Sequence, residues 1–246
     1  MKNFIIIALL LCVALLAFNF SGCVTVNFNP FAVAGAGARQ KYEIDAKDFS
    51  KIDVKSLCDI NYHVADNYSV TLEIQPNLRQ YYTVEAKNGV LYADTKKNIS
   101  FGSLETPILT VYAPSLKGLN LEGMGTFTGY GKIVSDSFDM KTDGMVTAEL
   151  ELETGDIKVN AEGAGDITLS GTADTAKIKM DGMGTLDAMS LKTRTSDVKF
   201  NGTGNVRVNC EETLVIDAEG LGTVEYKGSP SVSLNKDGLI KIKQVN

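Results

Sequence analysis

The sequence predicts an all-β solenoid, because one glycine-centred motif recurs at a nearly constant interval and apolar residues alternate around each copy. The intervals between successive copies are 21, 19, 19, 20 and 18 residues. A period near 20 residues is typical of solenoids, in which each repeat stacks on its neighbours. Apolar residues at every second position, such as Ile178 and Met180, indicate strands and not helices. The leading glycines of the six copies are Gly123, Gly144, Gly163, Gly182, Gly202 and Gly220.

These glycines are predicted to lie at the reversals between strands. A tight turn often needs a positive φ, which only glycine adopts without steric cost. In the second copy Val146 stands where the other copies have another glycine, so that copy is expected to turn differently.

Residues 1–22 are predicted to be a lipoprotein signal peptide. The apolar run from Phe4 to Phe18 is shorter than the roughly 20 residues that a membrane-spanning helix needs. Ser21 and Gly22 directly precede Cys23, and this arrangement resembles the lipobox of bacterial lipoproteins, which implies acylation of Cys23. An uncleaved anchor and ordinary signal cleavage that leaves Cys23 free are the alternatives.

Residues 23–39 are predicted to form a flexible tether, since they contain Pro30 and a run of small residues but no alternation. Val24 follows the cysteine without an acidic cluster behind it. By resemblance to lipoprotein sorting rules, this favours the outer membrane and leaves the choice between its surface and periplasmic faces open.

Residues 40–246 are predicted to form the folded part, and about 200 residues are enough for a sizeable core in one domain. The segment 117–246 carries the glycine ladder. The segment 40–116 alternates less regularly and is interpreted as irregular rungs of the same solenoid, with a separate small β-domain as the alternative. Residues 76–82 are a candidate for a single helical turn.

Composition and charge exclude several classes of function. The chain has 24 basic and 30 acidic residues and a pI near 4.9, which argues against nucleic acid as a partner. Cys58 and Cys210 lie on the apolar phase of their strands and far apart in the predicted fold, so two buried thiols are expected in place of a disulfide.

The sequence predicts no catalytic, metal or cofactor site. His63 is the only histidine and falls on the outward phase of its strand, between Tyr62 and Val64. The Gly-x-Gly pairs connect strands, whereas a dinucleotide fingerprint requires a strand followed by a helix. A glycan-cleaving enzyme stays open as an alternative, because outward carboxylates are abundant enough for hydrolysis.

An acidic residue precedes most of the leading glycines and is predicted to point outward. In stacked strands these side chains would lie about 5 Å apart, where like charges repel. One possible outcome is that water and salt screen the repulsion between these carboxylates, and the other is that the carboxylates bind calcium. The six residues of this column are Glu122, Asp143, Glu162, Asp181, Asn201 and Glu219.

The lipoprotein signal, the irregular strands and the ladder ending at Gly220 to Gly228 together resemble the family of putative auto-transporter adhesins with the head GIN domain, over roughly Arg39 to Asn246. The resemblance implies a right-handed parallel β-helix and an adhesive role without recognised catalytic residues. The expected function is therefore that of an envelope-anchored, non-catalytic adhesin that binds a glycan or protein ligand. A structural envelope scaffold is the further alternative, and the oligomeric state is left open.

Overall fold

The computed structural model describes residues 32–246, and Val33–Asn246 form one compact unit. The predicted signal peptide, the lipid-attachment residue Cys23 and the beginning of the tether lie outside the described residues. A 3-10 helix at Pro76–Tyr81 confirms the predicted helical turn, and Pro76 occupies its first turn, where a missing N–H costs nothing. The strands are β1 Gln40–Ile44, β2 Lys51–Leu57, β3 Asp59–Val64, β4 Ser69–Ile74, β5 Tyr82–Lys87, β6 Val90–Thr95, β7 Ile108–Ala113, β8 Gly118–Lys227 and β9 Ser231–Gln244.

The strands form one mixed sheet in the order β1-β4-β7-β3-β8-β2-β6-β5, with β9 also paired to β8. Pairs made by β2, β3 and β9 are parallel, whereas β1–β4, β4–β7 and β5–β6 are antiparallel. The predicted right-handed parallel β-helix is therefore wrong. The fold is all-β, but its sheet is mixed and curves until it is nearly closed around one apolar core.

A short turn explains part of this difference. Asn88 and Gly89 have φ values of 52° and 77°, and they join β5 to β6 with Lys87 opposite Val90. Positive φ at both central residues is the type I′ geometry, which matches the twist of a two-stranded antiparallel hairpin. An Asn-Gly pair between alternating segments is therefore a hairpin signal, which the interpretation of residues 40–116 as irregular rungs did not use.

The leading glycines have the positive φ that was predicted, but they do not interrupt the strand. Gly163, for example, has a φ of 93°, and a Cβ added to it would lie 2.6 Å from the backbone nitrogen of Gly144. Glycines one repeat apart thus stack backbone against backbone, and no side chain fits between them. Val146 is not among the described residues with positive φ, which confirms that its repeat turns differently.

Burial along β8 alternates residue by residue, as the apolar pattern predicted. The inward side chains pack into a single cluster with those of the shorter strands, and its largest fully buried members include Tyr62, Phe127 and Phe200. Cys58 and Cys210 are buried free thiols, which confirms the prediction against a disulfide. Burial raises the pKa of the Cys58 thiol to about 12.

The described end of the predicted tether contacts the segment that connects β6 to β7. Val33 forms a parallel bridge with Phe101, and the backbone N–H of Gly35 donates a 2.8 Å hydrogen bond to the carbonyl of Ser103. Arg39 lies 3.3 Å from the carboxylate of Glu105. The compact unit of the structure therefore includes residues 33–39.

Candidate functional site

A hollow of about 440 Å³ lies on the outward face of the sheet, where β6, β2 and successive segments of β8 run side by side. We call it the Asn120 hollow. The side chains that carry the argument below are Lys51, Asp53, Tyr92, Asn120, Lys141 and Lys158.

Strand register brings these residues together. Asp53 on β2 pairs with Tyr92 on one side and with Asn120 on the other, so all three side chains point to the same face. Gly118, beside Lys51, contributes no side chain and leaves space between its neighbours. A Cβ at this position would lie 3.4 Å from both Cγ of Lys51 and the carbonyl oxygen of Asp139.

The side-chain amide of Asn120 has an unused acceptor. Its Nδ2 donates to Oδ1 of Asp53 at 3.0 Å and to Oε1 of Glu122 at 3.1 Å. Its Oδ1 is buried and has no hydrogen-bond partner among the described residues. A buried acceptor without a partner costs about 1–3 kcal/mol.

The charges beside Asn120 are held in their ionised forms. The hydrogen bond from Asn120 lowers the pKa of Glu122, and the ammonium group of Lys55, 3.3 Å away, lowers it further. Lys55 also donates a hydrogen bond to Glu122, and this bond raises the pKa of Lys55. Lys51, Lys141 and Lys158 have no carboxylate within 4.0 Å in the part of the chain that the structure describes, and they leave positive charge at the hollow.

The predicted acidic column lies on the outward face, beside lysines of the same face. Lys179 lies 2.9 Å from Asp181, and their hydrogen bond raises the pKa of Lys179. Within residues 32–246 there is no group of three or more His, Cys, Asp or Glu side chains placed to hold a metal ion. Two residues of this column, Glu122 and Asp181, have lysine partners, and its geometry gives the calcium hypothesis no support.

His63 lies on the outward face, as predicted, and stacks between two tyrosines. Its ring centroid is 4.5 Å from those of Tyr112 and Tyr130, at interplanar angles of 12° and 8°. The three residues come from β7, β3 and β8 and lie in direct register. Stacking of this kind stabilises the sheet and accounts for the position of the imidazole without a catalytic role.

The sequence analysis missed an exposed apolar ridge that follows the stacked glycines. The side chains after five glycines of the ladder are between 48% and 77% exposed. The signal was present in the Gly-Met-Gly and Gly-Leu-Gly motifs, where the middle residue has no inward neighbour to pack against. The ridge consists of Met124, Met145, Met183, Leu221 and Leu239.

Comparison with known proteins agrees with this architecture. A crystal structure of a putative adhesin from Bacteroides fragilis is 25% identical, has a TM-score of 0.81, and aligns over 87% of this chain and 100% of that one. A putative lipid binding protein from Parabacteroides distasonis is 22% identical over the same shares of the two chains, with a TM-score of 0.69. A putative adhesin from Parabacteroides merdae is 18% identical over 87% of this chain and 99% of that one, with a TM-score of 0.62. Among curated proteins, none matches the chain.

The described segment 32–246 has no helix long and apolar enough to cross a membrane. The family model described as putative auto-transporter adhesin, head GIN domain, matches residues 48–230. This range includes the Asn120 hollow and the glycine ladder, and it confirms the resemblance drawn from the sequence. The chain belongs to the putative auto-transporter adhesin, head GIN domain family.

Proposed function

We propose that this protein is an envelope-anchored, non-catalytic adhesin-like protein that binds a glycan in the Asn120 hollow. The observation that carries the proposal is the open hollow lined by Asn120, whose side-chain Oδ1 is an acceptor without a partner in the described residues. A sugar hydroxyl is a suitable donor for this oxygen, and hydroxyls also accept hydrogen bonds from lysine ammonium groups.

The scaffold suits recognition of this kind. The polar side chains stand on neighbouring strands, and the backbone hydrogen bonds between these strands fix their spacing. Binding of a ligand therefore costs little conformational entropy. Tyr92 stands at one side of the hollow and offers apolar ring surface beside the polar groups. A few convergent polar groups with one aromatic wall are typical of small-molecule and sugar sites.

A non-catalytic role is supported by the chemistry of Glu122, which accepts a hydrogen bond from Asn120, and by the position of His63. A general acid in glycoside hydrolysis needs a carboxyl group with a raised pKa, whereas Asn120 and Lys55 lower the pKa of Glu122. The imidazole of His63 is stacked between Tyr112 and Tyr130 and does not line the hollow. The family description names an adhesin, in agreement with this reading.

The anchor proposed for this function is a lipid on Cys23, with residues 1–22 as the signal peptide and the outer membrane as the location. The support comes from the sequence alone, namely the short apolar run and the pair Ser21-Gly22 before the cysteine. An anchored protein of this kind would present the outward face of its sheet to a ligand in the surrounding medium.

Lipid binding is a second candidate, and the apolar ridge favours it. Five large apolar side chains exposed in one column are unusual on a soluble protein, and methionine-rich surfaces adapt to varied apolar ligands. The structural relative from Parabacteroides distasonis is described as a putative lipid binding protein. Sedimentation with zwitterionic liposomes, by a form of the protein that lacks residues 1–31, separates this candidate from glycan binding.

The glycan proposal is tested on a glycan array with the wild type, Asn120→Ala and the control Asn67→Ala, which changes an exposed asparagine in the turn between β3 and β4. We expect the wild type and Asn67→Ala to bind the same glycans. Asn120→Ala should bind them at least tenfold more weakly, with an unchanged far-UV circular dichroism spectrum. Equal binding by all three proteins, or no bound glycan at all, would overturn the proposal.

A further inference from the structure

Three hollows lie next to one another on the outward face. Lys158 and Asn160 line both the Asn120 hollow and a second hollow of about 220 Å³. Lys179 and Lys199 line both the second hollow and a third of about 190 Å³. The shared residues place the hollows side by side across successive segments of β8. We call the first two hollows together the lysine groove.

The groove gathers positive charge in an acidic protein. The chain has a formal net charge of −6, yet six lysines and three aspartates line the first two hollows. The third hollow adds three carboxylates, those of Asp181, Asp217 and Glu219, and no further lysine, so the excess of positive charge ends with the second hollow. Of the six, only Lys179 has a carboxylate within 4.0 Å among residues 32–246, that of Asp181. The lysines are Lys51, Lys141, Lys158, Lys177, Lys179 and Lys199.

The register of β8 sets lysines beside one another. Gly182 stacks on Gly163 with an offset of 19 residues, and the same offset places Lys177 beside Lys158. Neighbouring strands lie about 4.8 Å apart, and like charges directly opposite each other on one face destabilise a sheet. An arrangement that costs stability and is repeated along a groove points to a ligand of opposite charge.

We infer that the lysine groove binds an extended acidic polysaccharide, with its carboxylate groups on the lysines and its hydroxyl groups on Asn120 and Asn160. This inference rests on the proposed glycan function and adds the class of glycan. From Lys51 to Lys199 the groove crosses five strand spacings, about 24 Å, which is long enough for several sugar units. Lysine ammonium groups with three donors each suit carboxylates at varied angles along a polymer.

The composition of the groove distinguishes a polysaccharide from a nucleic acid. Proteins that bind single-stranded nucleic acids stack the bases on aromatic side chains, and no aromatic residue other than Phe200, which points into the core, lines the second and third hollows. Asp139 and Asp197 stand among the lysines, where their carboxylates accept hydrogen bonds from hydroxyl groups. The mixture of ammonium, amide and carboxylate groups fits a polymer that carries both acids and hydroxyls.

The test compares binding of polygalacturonate and of its fully methyl-esterified form, which has the same backbone without charge, by isothermal titration calorimetry in low-salt buffer. The full folded chain without its signal peptide is measured as the wild type, as Lys158→Gln/Lys177→Gln, and as the control Lys132→Gln/Lys192→Gln. The control removes the same charge from lysines paired with Glu153 and Glu211, outside the groove. Melting temperatures establish that all three are folded.

We expect the wild type and the control to bind polygalacturonate at least tenfold more tightly than the esterified polymer, and the groove variant to lose this preference. Equal binding of the two polymers by the wild type would overturn the acidic class and leave the proposed glycan function standing. Equal binding of polygalacturonate by the groove variant and the control would overturn the groove as the site. Equally tight binding of single-stranded DNA would mean an unselective attraction for polyanions and would also overturn the inference.

Discussion

The side-chain amide of Asn120 donates a 3.0 Å hydrogen bond to the carboxylate of Asp53 from the neighbouring parallel strand, across a sequence separation of 67 residues. The contact fixes the amide plane and directs both of its N–H groups to carboxylates, at Asp53 and Glu122. The acceptor oxygen of the same amide is left without a partner within the described residues.

This arrangement predicts that Asn120→Ala separates binding from stability. The substitution removes two hydrogen bonds, each worth about 1 kcal/mol, but it also removes an unsatisfied buried acceptor that costs a similar amount. We expect the free energy of unfolding in urea to change by less than about 1 kcal/mol while glycan binding falls. A loss of several kcal/mol would show that Asn120 serves the fold and not a ligand.

The stacked glycines predict a large difference between two Gly→Ala substitutions. Gly163 has a φ of 93° and backbone atoms of Gly144 directly beside it, whereas Gly89 has a φ of 77° and open space. Both variants carry the strain of a positive φ, about 1 kcal/mol, but only Gly163→Ala also forces two chain segments apart. We expect Gly163→Ala to lose about 3 kcal/mol of unfolding free energy. Similar losses for the two variants would show that contact with Gly144 is unimportant.

The apolar ridge predicts which methionines oxidise first. Met124, Met145 and Met183 are 48%, 55% and 62% exposed, whereas Met140 and Met180 are 2% and 4% exposed. Brief treatment with dilute hydrogen peroxide should convert the first three to sulfoxides, since oxidation follows exposure. Peptide mapping by mass spectrometry measures each site. Oxidation of Met140 at the same rate as Met183 would contradict the assignment of Met140 to the buried face of the sheet and of Met183 to its exposed face.

The buried Cys58 thiol predicts a loss of stability at alkaline pH. Burial raises its pKa from 9.0 to about 12, so the folded state keeps a proton that the unfolded state releases between these values. The contribution of the buried, protonated thiol to the free energy of unfolding is complete below pH 9. It falls as the pH rises, by at most about 1.4 kcal/mol per pH unit. In Cys58→Ala the fall in unfolding free energy between pH 9 and 10.5 should be shallower than in the wild type. Identical slopes would show that this thiol does not contribute.

The proposed anchor predicts that Cys23→Ser moves the protein from the membrane fraction to the soluble fraction. Serine has no thiol to receive the lipid, so the only anchor proposed for the mature chain is lost. Immunoblots of both fractions from cells that express each form provide the measurement. Continued membrane association of Cys23→Ser would refute lipid attachment at this residue.

Local signals in the sequence predicted much of the secondary structure. Alternation of apolar residues correctly predicted strands and not helices, because a strand that is buried on one face must alternate. The glycine ladder correctly indicated positive φ. The predicted strand directions were wrong in part, because a single repeat period was taken to describe the whole chain. The Asn88-Gly89 hairpin and the antiparallel neighbours of β4 lie outside that period.

The candidate site could not be predicted in the same way. Asp53, Tyr92 and Asn120 come from three separate segments, and only the pairing of β2 with both β6 and β8 brings them together. The charged lysines of the groove look like ordinary outward residues in the sequence. Their meeting depends on offsets of 19 or 20 residues between segments of β8, which are the intervals between the glycines, but the prediction did not apply these intervals to the lysines.

The most direct test of the account is a crystal structure of the protein with an oligosaccharide selected on the glycan array. The account predicts sugar density in the Asn120 hollow, with a hydroxyl group within about 3 Å of Oδ1 of Asn120. It also predicts a sugar acid or hydroxyl within reach of Lys141 or Lys158. A sugar bound on another face, with the Asn120 hollow occupied by solvent alone, would contradict it.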